Sequence, residues 1–510
     1  MLKSLRIENF KAFGAPQEIP LAPITLIYGP NSAGKSSIIQ SLLLMKQTFQ
    51  NRPANRLVFS GDIVDLGTYL SALHRHDSTF KMKLGFSFSP AATDGTIGSS
   101  ILNPGSIRGI DITIDLPPAA KRDKKNSPCI SDVTYAIGDG KLFRARLSRE
   151  TKKTSKSEAI DDETDDVYKI LDEDSVKSIC QLIEAVRMPS RRSPSLSKAS
   201  RLSKASLDKQ KINYDLMSLL RNAEFSAIGL LPARIEMAAD SEETLNGFRA
   251  LPYEYVRFVA GFLSPLEILR KEFIEEIGSL SYLGPLRSHP ARHHIASGSD
   301  RESVGTRGER TPQLLYRKKK EFVPKVNEIF QRFNIPYSLD VRSAGDSVTG
   351  EIISVVLEDA HGTTVSPSDV GFGIGQLLPI LVEGTVSEGR LICVEQPEIH
   401  LHPRLQGHIA DFLIQTAKKN ASPPNRSGGV RQYGGNQWII ETHSEAIALR
   451  VQRRIKEGLP PDFVSVLYVE PFSKGGSRVM KLRLDSDGSF IDEWPDGFFE
   501  ESYREIYGAS

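Results

Sequence analysis

The sequence predicts an α/β chain made of several units, with an antiparallel β subdomain and an inserted helical region, and three observations carry that expectation. At 510 residues it is roughly three times the size of a typical domain, which excludes a single small module or a disulfide-stapled toxin. Its first 50 residues alternate as strands and then pass through a glycine-rich turn into a helix. After about residue 150 the chain shifts to charged and Ser-rich tracts that interrupt the globular pattern.

Taken in order, Leu5, Ile7 and Phe10 mark one strand, and Ile24, Leu26 and Tyr28 a second. From Lys35 to Phe49, the residues Ile38, Ile39, Leu42, Leu43 and Met45 recur at helical spacing with no proline among them, which predicts a helix. Phe80–Phe88, Asp111–Leu116 and Val133–Leu147 read as strands, the last folded back at Gly138-Asp139-Gly140. An acidic cluster (Asp161, Asp162, Glu163, Asp165, Asp166) precedes a Ser-rich basic tract that repeats Leu196-Ser-Lys-Ala-Ser as Leu202-Ser-Lys-Ala-Ser. Its Arg191, Arg192, Lys198 and Arg201 suit phosphates, but such charge runs usually mark solvated chain. Residues 150–278 are therefore expected to form a helical, partly disordered insertion, closing on an amphipathic helix with Leu266, Leu269, Phe273 and Ile277 on one side.

Composition narrows the function classes. Hydrophobic residues at 39% and charged residues at 25% argue against wholesale disorder, and no apolar run approaches the roughly 20 residues of a spanning helix. Charges within Met1–Phe10 make that segment a strand and not a secretory signal, so a cytoplasmic protein without membrane partners is expected. Cys129, Cys180 and Cys393 are too far apart for a CxxC metal site and odd in number for a disulfide framework. A net charge of +2 is too close to balance for a wholly basic nucleic-acid binder.

The segment Gly29-Pro-Asn31-Ser32-Ala-Gly34-Lys35-Ser36 has the spacing GxxxxGK[ST] and lies between an apolar strand and a helix, as a P-loop requires. Its backbone N–H groups and the helix N-terminus suit a triphosphate, Lys35 the β/γ-phosphates, and the Ser36 hydroxyl a magnesium ion. Ser37 follows as a further nucleotide-binding candidate. ATP and Mg2+ are thus the expected ligands.

A second signal is Leu391-Ile-Cys-Val-Glu395-Gln396-Pro397-Glu398, an apolar strand ending in acids, followed by His400, His402 and Pro403. Here the chain resembles the ABC-type ATPases, which implies an ABC-type ATPase head assembled from discontinuous lobes. The resemblance puts Glu395 at the magnesium-linked carboxylate and Gln396 at the general base. It makes Asp369-Val-Gly371-Phe-Gly373-Ile-Gly375-Gln376 similar to a degenerate signature motif, which in that class closes on nucleotide held by a second copy. It also puts His443, in Glu441-Thr442-His443-Ser444, at the γ-phosphate-sensing switch. Lys11 falls where similar residues contact nucleotide. A head-to-tail homodimer, or a higher homo-oligomer, is implied.

Tyr282-Leu-Gly-Pro-Leu-Arg287, the acid-tipped strand, Glu441-Thr-His-Ser-Glu and Trp494-Pro-Asp-Gly-Phe-Phe narrow this to bacterial AAA-family ATPases related to the OLD and RecF/SMC groups, which carry an uncharacterised C-terminal extension. Relatives of that kind occur in anti-phage defence, in Septu-like and PARIS-like pairs, where the ATPase is the sensor and a separate nuclease the effector. The resemblance equally admits a RecF/SMC-like DNA-binding ATPase of repair, or an OLD-like nuclease. One departure matters: an amide at Gln396 orients water but does not accept its proton, so slow turnover is expected, with Glu398 or Glu441 as substitute bases.

Other candidates have plainer readings. Asp485-Ser-Asp487 after Glu470 is too closely spaced for a nuclease metal site and reads as a turn. His400 and His402 lack nearby zinc partners and read as loop residues. Arg287 and Arg292 suit either phosphates or internal ion pairs. The expected division is an N-terminal ATPase lobe over 1–95, a β arm and insertion over 96–278, a second ATPase lobe over 279–460 and a C-terminal extension over 461–510.

Overall fold

The computed structural model describes residues 1–50, 56–89, 106–116, 128–138, 143–150, 167–187, 217–218, 220–221, 224–228, 231–236, 253–296, 302–346, 350–418, 434–472, 475–495 and 508. The acidic cluster at 161–166, the repeated Ser-rich tract, and Asp139 and Gly140 of the expected hairpin turn lie outside the described residues. The strands, in chain order, begin with β1 (Leu2–Glu8), β2 (Gln17–Pro20), β3 (Ile24–Tyr28), β4 (Met82–Phe88), β5 (Arg108–Asp115), β6 (Cys129–Ile137), β7 (Phe143–Glu150), β8 (Val167–Ile170), β9 (Glu224–Ile228) and β10 (Leu231–Glu236). They continue with β11 (Ser281–Leu283), β12 (His294–Ile295), β13 (Tyr337–Asp346), β14 (Gly350–Asp359), β15 (Thr364–Val365), β16 (Leu391–Glu395), β17 (Gln437–Glu441), β18 (Val464–Phe472) and β19 (Gly476–Leu482). Two compact units result: Met1–Leu2, Ala12–Leu42 and Ser279–Ser510 form the first, and Lys3–Lys11 with Leu43–Gly278 the second.

The first unit is built on a six-stranded sheet in the order β11-β16-β17-β3-β18-β19. All neighbours are parallel except the last pair, β18 and β19. Every residue of β3, β16 and β17 is buried, the pattern of a parallel sheet covered on both faces. The helices Gly371–Val386, Pro403–Lys418 and Glu445–Lys456 cover one face, where Leu381, Phe412, Leu413 and Ile447 join the core of Ile24, Leu26, Ile392, Val394, Trp438 and Ile440. Trp438 of β17 is fully buried, meets Phe412 edge to face at 6.1 Å, and donates from Nε1 to Thr416 Oγ1 at 3.0 Å. A smaller sheet, β12-β14-β13 with β15 on β14, packs on helix Lys319–Arg332. There the Asn327 side-chain amide completes the strand end, donating to Leu339 O at 3.0 Å and accepting from Leu339 N at 2.7 Å.

Residues beyond 461 add two strands to the central sheet, with β18 lying beside the P-loop strand β3. The chain then turns at Asp485, whose carboxylate accepts from the amides of Asp487 (2.9 Å) and Ser489 (2.8 Å), as the turn reading of that motif expects. Trp494 seats this end: its ring meets Tyr28 at 5.3 Å, Tyr468 at 6.3 Å and Phe490 at 4.9 Å, each near perpendicular.

The second unit holds a sheet in the order β10-β9-β8-β7-β6-β5-β4-β1, antiparallel at each pairing from β10 to β4. Strict alternation of burial along β5 shows one face turned to a core. The expected amphipathic helix is there as Tyr253–Gly278, with Leu266, Leu269, Phe273 and Ile277 fully buried. Phe273 lies against Phe49, Phe86 and Phe88. The region expected to be helical also carries β8, β9 and β10. Each is only four to six residues long, too short to reveal a period in sequence. No described helix is long and apolar enough to cross a membrane.

Replacing Trp494 with alanine removes three ring contacts behind β3. A loss of about 2–3 kcal/mol is expected for a partly buried indole, read as a fall of several degrees in melting temperature. An unchanged melting temperature contradicts the seating role.

Candidate nucleotide site

The loop after β3 is fixed by sterics at two glycines. Gly29 sits at φ 143°, and a Cβ there would lie 2.1 Å from the Val469 carbonyl oxygen of β18. Gly34, at φ 100°, leaves only 2.4 Å for a Cβ against that of Ala12. Neither position admits a side chain. Asn31 and Ser32 are exposed at the loop tip, and Ser37 is buried in the first helical turn, its N–H donating to Gly34 O at 3.0 Å. Helix Lys35–Gln50 starts at the lysine, so its free N–H groups and positive dipole end face the loop. Lys35 is only 4% exposed, and its Nζ folds back onto the carbonyls of Gly29 (3.0 Å) and Pro30 (2.8 Å). Burial lowers its pKa, against the pull of Glu441 and Glu398.

Sheet register delivers the acids. β16 pairs with β17 so that Glu395 lies opposite Glu441, and β17 pairs with β3 so that Glu441 lies opposite Ile27, two residues before the loop. Glu441 Oε2 accepts the Ser36 hydroxyl at 2.7 Å. Glu395 Oε1 accepts from the Tyr282 hydroxyl at 2.9 Å. Arg287 forks onto the backbone, donating to Glu395 O at 2.7 Å and Gln396 O at 3.0 Å, while Gln396 N donates to Glu441 O at 2.7 Å. Gln396 is thereby held at φ 47°, a left-handed conformation that a non-glycine residue keeps only when its surroundings over-determine it. Glu398 reaches across to the next strand end, accepting from Thr442 Oγ1 at 2.8 Å and His443 N at 2.7 Å.

Electrostatically this is a desolvated acid cluster with two buried cations. Burial, then Glu441, pushes the Glu395 carboxyl up to about 7, and burial also raises Glu398 and Glu441. Burial brings Arg287 down to about 10 and lowers His443, which also feels Lys35. Tyr282 is raised by burial and by the adjacent Glu395 charge. Among the described residues no group of three His, Cys, Asp or Glu side chains could hold a metal ion unaided. The oxygen donors at hand, the Ser36 hydroxyl and the Glu395 and Glu441 carboxylates, nonetheless fit magnesium, which takes one or two carboxylates and completes its shell with phosphates and water.

The structure brings Lys35, Ser36, Glu395, Gln396, Glu398 and His443 to one end of the central sheet. The signature-like run opens helix Gly371–Val386, where Gly371 is exposed. Gly373 lets the His400 carbonyl approach within 3.1 Å of its Cβ position, Gly375 packs on Pro290, and Gln376 is buried. Arg292 forms a bidentate pair with Asp369, the first residue of this run, at 2.9 and 2.5 Å. Lys11 belongs to the second unit, where its N–H donates to Ala72 O (2.8 Å) and its carbonyl lies 2.9 Å from His74 Nδ1. His402 closes the turn before helix Pro403–Lys418, taking the Arg404 amide on Nδ1 at 3.3 Å. Sequence reasoning missed the Tyr282 contact and the contact between Glu441 and Ser36. Glu441 left one signal, an apolar strand ending in an acid, whereas Tyr282 lies in the middle of the three-residue β11 and left none.

A stability effect follows from Glu395. Between pH 4.5 and about 7 the folded chain holds a proton that the unfolded chain has released, so this group's contribution to stability falls as pH rises through that window. Wild type should lose stability relative to Glu395→Gln between pH 5 and pH 7.5 in denaturant unfolding. Parallel pH profiles contradict this.

A family model described as AAA ATPase domain matches residues 1–234 and 302–448. Solved structures similar to this chain include an SMC head domain from Thermotoga maritima (10% identity, 95% of this chain and 99% of that one, TM-score 0.36). Another is an Smc head domain from Pyrococcus furiosus, with an extended coiled coil and bound to the C-terminal domain of ScpA (12% identity, 94% and 96%, TM-score 0.38). A third is an Smc head domain with a coiled coil and joint from Pyrococcus yayanosii (10% identity, 94% and 97%, TM-score 0.37). No curated protein matches the chain. With a P-loop between strand and helix, acid-tipped parallel strands beside it, and a family match running through both, the chain belongs to the AAA ATPase domain family.

Proposed function

We propose that this chain binds ATP with magnesium and hydrolyses it slowly, and that binding more than turnover closes two copies around the nucleotide. The observation that carries this reading is that sheet register sets the acid-tipped strands beside the P-loop, with Glu441 on Ser36 and opposite Glu395. Lys35 and Ser36, the two side chains suited to phosphate and metal, are already engaged by Gly29 and Pro30 carbonyls and by Glu441, at the place where Glu395 and His443 converge. A triphosphate offers Lys35 stronger, charged acceptors than two carbonyls. Magnesium, held by Ser36 and Glu395, would neutralise developing charge on the phosphates.

The chain's own groups set the rate. Gln396, fixed between Arg287 and Glu441 O, can orient a water through its amide but cannot take the proton. Both oxygens of Glu398 are committed to Thr442 and His443, so Glu398 positions the switch histidine and is poorly free to act as a base. Glu441 faces Ser36, the metal side of the loop. Neither Glu398 nor Glu441 is thus poised as a full substitute base, which supports slow turnover.

Closure on a second copy is supported by the exposed groups beside the site: Gly371 at the helix start, His400, His402, and Leu286, which is 75% exposed. The reading extends, by resemblance to the defence ATPases, to a sensor subunit that controls a separate nuclease effector; Asp485, spent on its own turn, is a poor nuclease ligand. Recovery of a nuclease with the purified chain supports that role, whereas DNA alone favours the RecF/SMC-like repair reading.

In steady-state assays of the full chain, Lys35→Ala should abolish ATP binding and turnover. Gln396→Glu should raise turnover at least about tenfold, since a positioned base is worth about 10²–10⁴-fold. A fast wild-type rate, unchanged by Gln396→Glu, Glu398→Ala and Glu441→Ala, contradicts the slow-turnover account.

A further inference from the structure

We propose that the cleft between segment 288–294 and helix Gly371–Val386 binds a small aromatic amine, its ring between proline walls and its ammonium beside Glu309. The cleft lies wholly within the first unit, and the inference is independent of the nucleotide reading.

The cleft has a volume of about 460 Å³ and is open on one side, a size that suits one small ligand. Pro290, Pro312, Pro367, Pro379, Val355 and Leu378 give it a mostly apolar lining. Two close backbone approaches set its walls. A Cβ on Gly375 would lie 2.6 Å from Pro290 Cγ, and one on Gly308 would lie 2.6 Å from Pro379 Cβ. The 288–294 wall is fastened at both ends, by Arg287 on the Glu395 and Gln396 carbonyls and by the bidentate pair of Arg292 with Asp369. Proline walls have few conformations to lose, so little binding energy goes into ordering them. An aromatic ring buries much apolar area against such rigid surfaces while freezing few rotors of its own.

Charge selects the rest of the ligand. Among the described residues that line the cleft, Glu309 is the one with a fixed charge, and no lysine or arginine accompanies it. Its carboxylate accepts from Arg307 N at 3.0 Å and lies 3.9 Å from Arg310, beyond direct hydrogen-bond reach, so lone pairs remain for an ammonium. Burial lowers the His294 pKa, and the imidazole on this wall therefore adds no positive charge near pH 7. Pro379 contributes an acceptor. It has no N–H to give the carbonyl four residues back, which is that of Gly375, another lining residue. A ligand with positive charge and N–H donors suits both groups, whereas a carboxylate is repelled by Glu309.

The test is an NMR titration of the full chain with compounds that share a benzene ring: 2-phenylethylamine, 2-phenylethanol and phenylacetate. The amine should bind with a dissociation constant on the order of 1 mM, the alcohol about tenfold more weakly, and phenylacetate more weakly still. Glu309→Gln should bring the amine to within about threefold of the alcohol. Val355→Phe, which puts a ring into the cleft, should weaken amine binding at least about tenfold with the melting temperature kept. Phenylacetate binding as tightly as the amine overturns the proposal. So does an amine that fails to bind at tens of millimolar, on the order of the weakest fragment affinities, or amine binding unchanged in both variants. If Val355→Phe does not fold, the amine-to-alcohol ratio in Glu309→Gln decides alone, and an unaltered ratio overturns the proposal.

Discussion

The parallel pairing of three strands governs everything at the site. Because β17 lies between β16 and β3, their register places Glu395 beside Glu441 and Glu441 beside the residues that enter the P-loop. A shift of one residue in either pairing would turn the acids to the opposite face of the sheet. The apolar residues of these strands, buried without exception, prevent that shift, since moving them would expose or misplace a continuous core. The core therefore aligns the chemistry, although no core residue takes part in it.

The same packing creates an electrostatic cost. Three carboxylates are dried out by the sheet and helices, and Lys35 and Arg287 only partly offset them. Local hydrogen bonds answer that cost: tyrosine to Glu395, serine to Glu441, threonine and a backbone amide to Glu398. Arg287 spends its fork on backbone carbonyls and so holds Gln396 in its left-handed conformation. These bonds hold the site's groups in place through one another. Ligand binding there becomes an exchange of partners and not the filling of a void.

Much of this was legible in the residues. The glycine spacing and its position between strand and helix located the loop, because Gly29 and Gly34 are steric necessities that leave a mark in sequence. The acid-tipped strand located Glu395, Gln396 and Glu398. What the sequence could not express was which carboxylate meets which donor. Glu441 reaches Ser36 across 405 positions and Tyr282 reaches Glu395 across 113, contacts set by tertiary pairing and not by local pattern. Arg287 and Arg292, equally suited to phosphates or to internal partners, are given internal ones by the fold. The glycines of the signature-like run looked like places for phosphate approach, yet Gly373 and Gly375 also serve close packing on His400 and Pro290. The short strands β8 to β10 escaped notice because four to six residues beside charged tracts carry too little period to detect.

The most direct measurement is an experimental structure of the full chain with ATP and magnesium. The account predicts Lys35 Nζ drawn off the Gly29 and Pro30 carbonyls onto the phosphates, Ser36 released from its bond to Glu441, and the triphosphate lying along the loop. Lys35 still folded back on those carbonyls, with ATP elsewhere or unbound at saturating concentration, would contradict it.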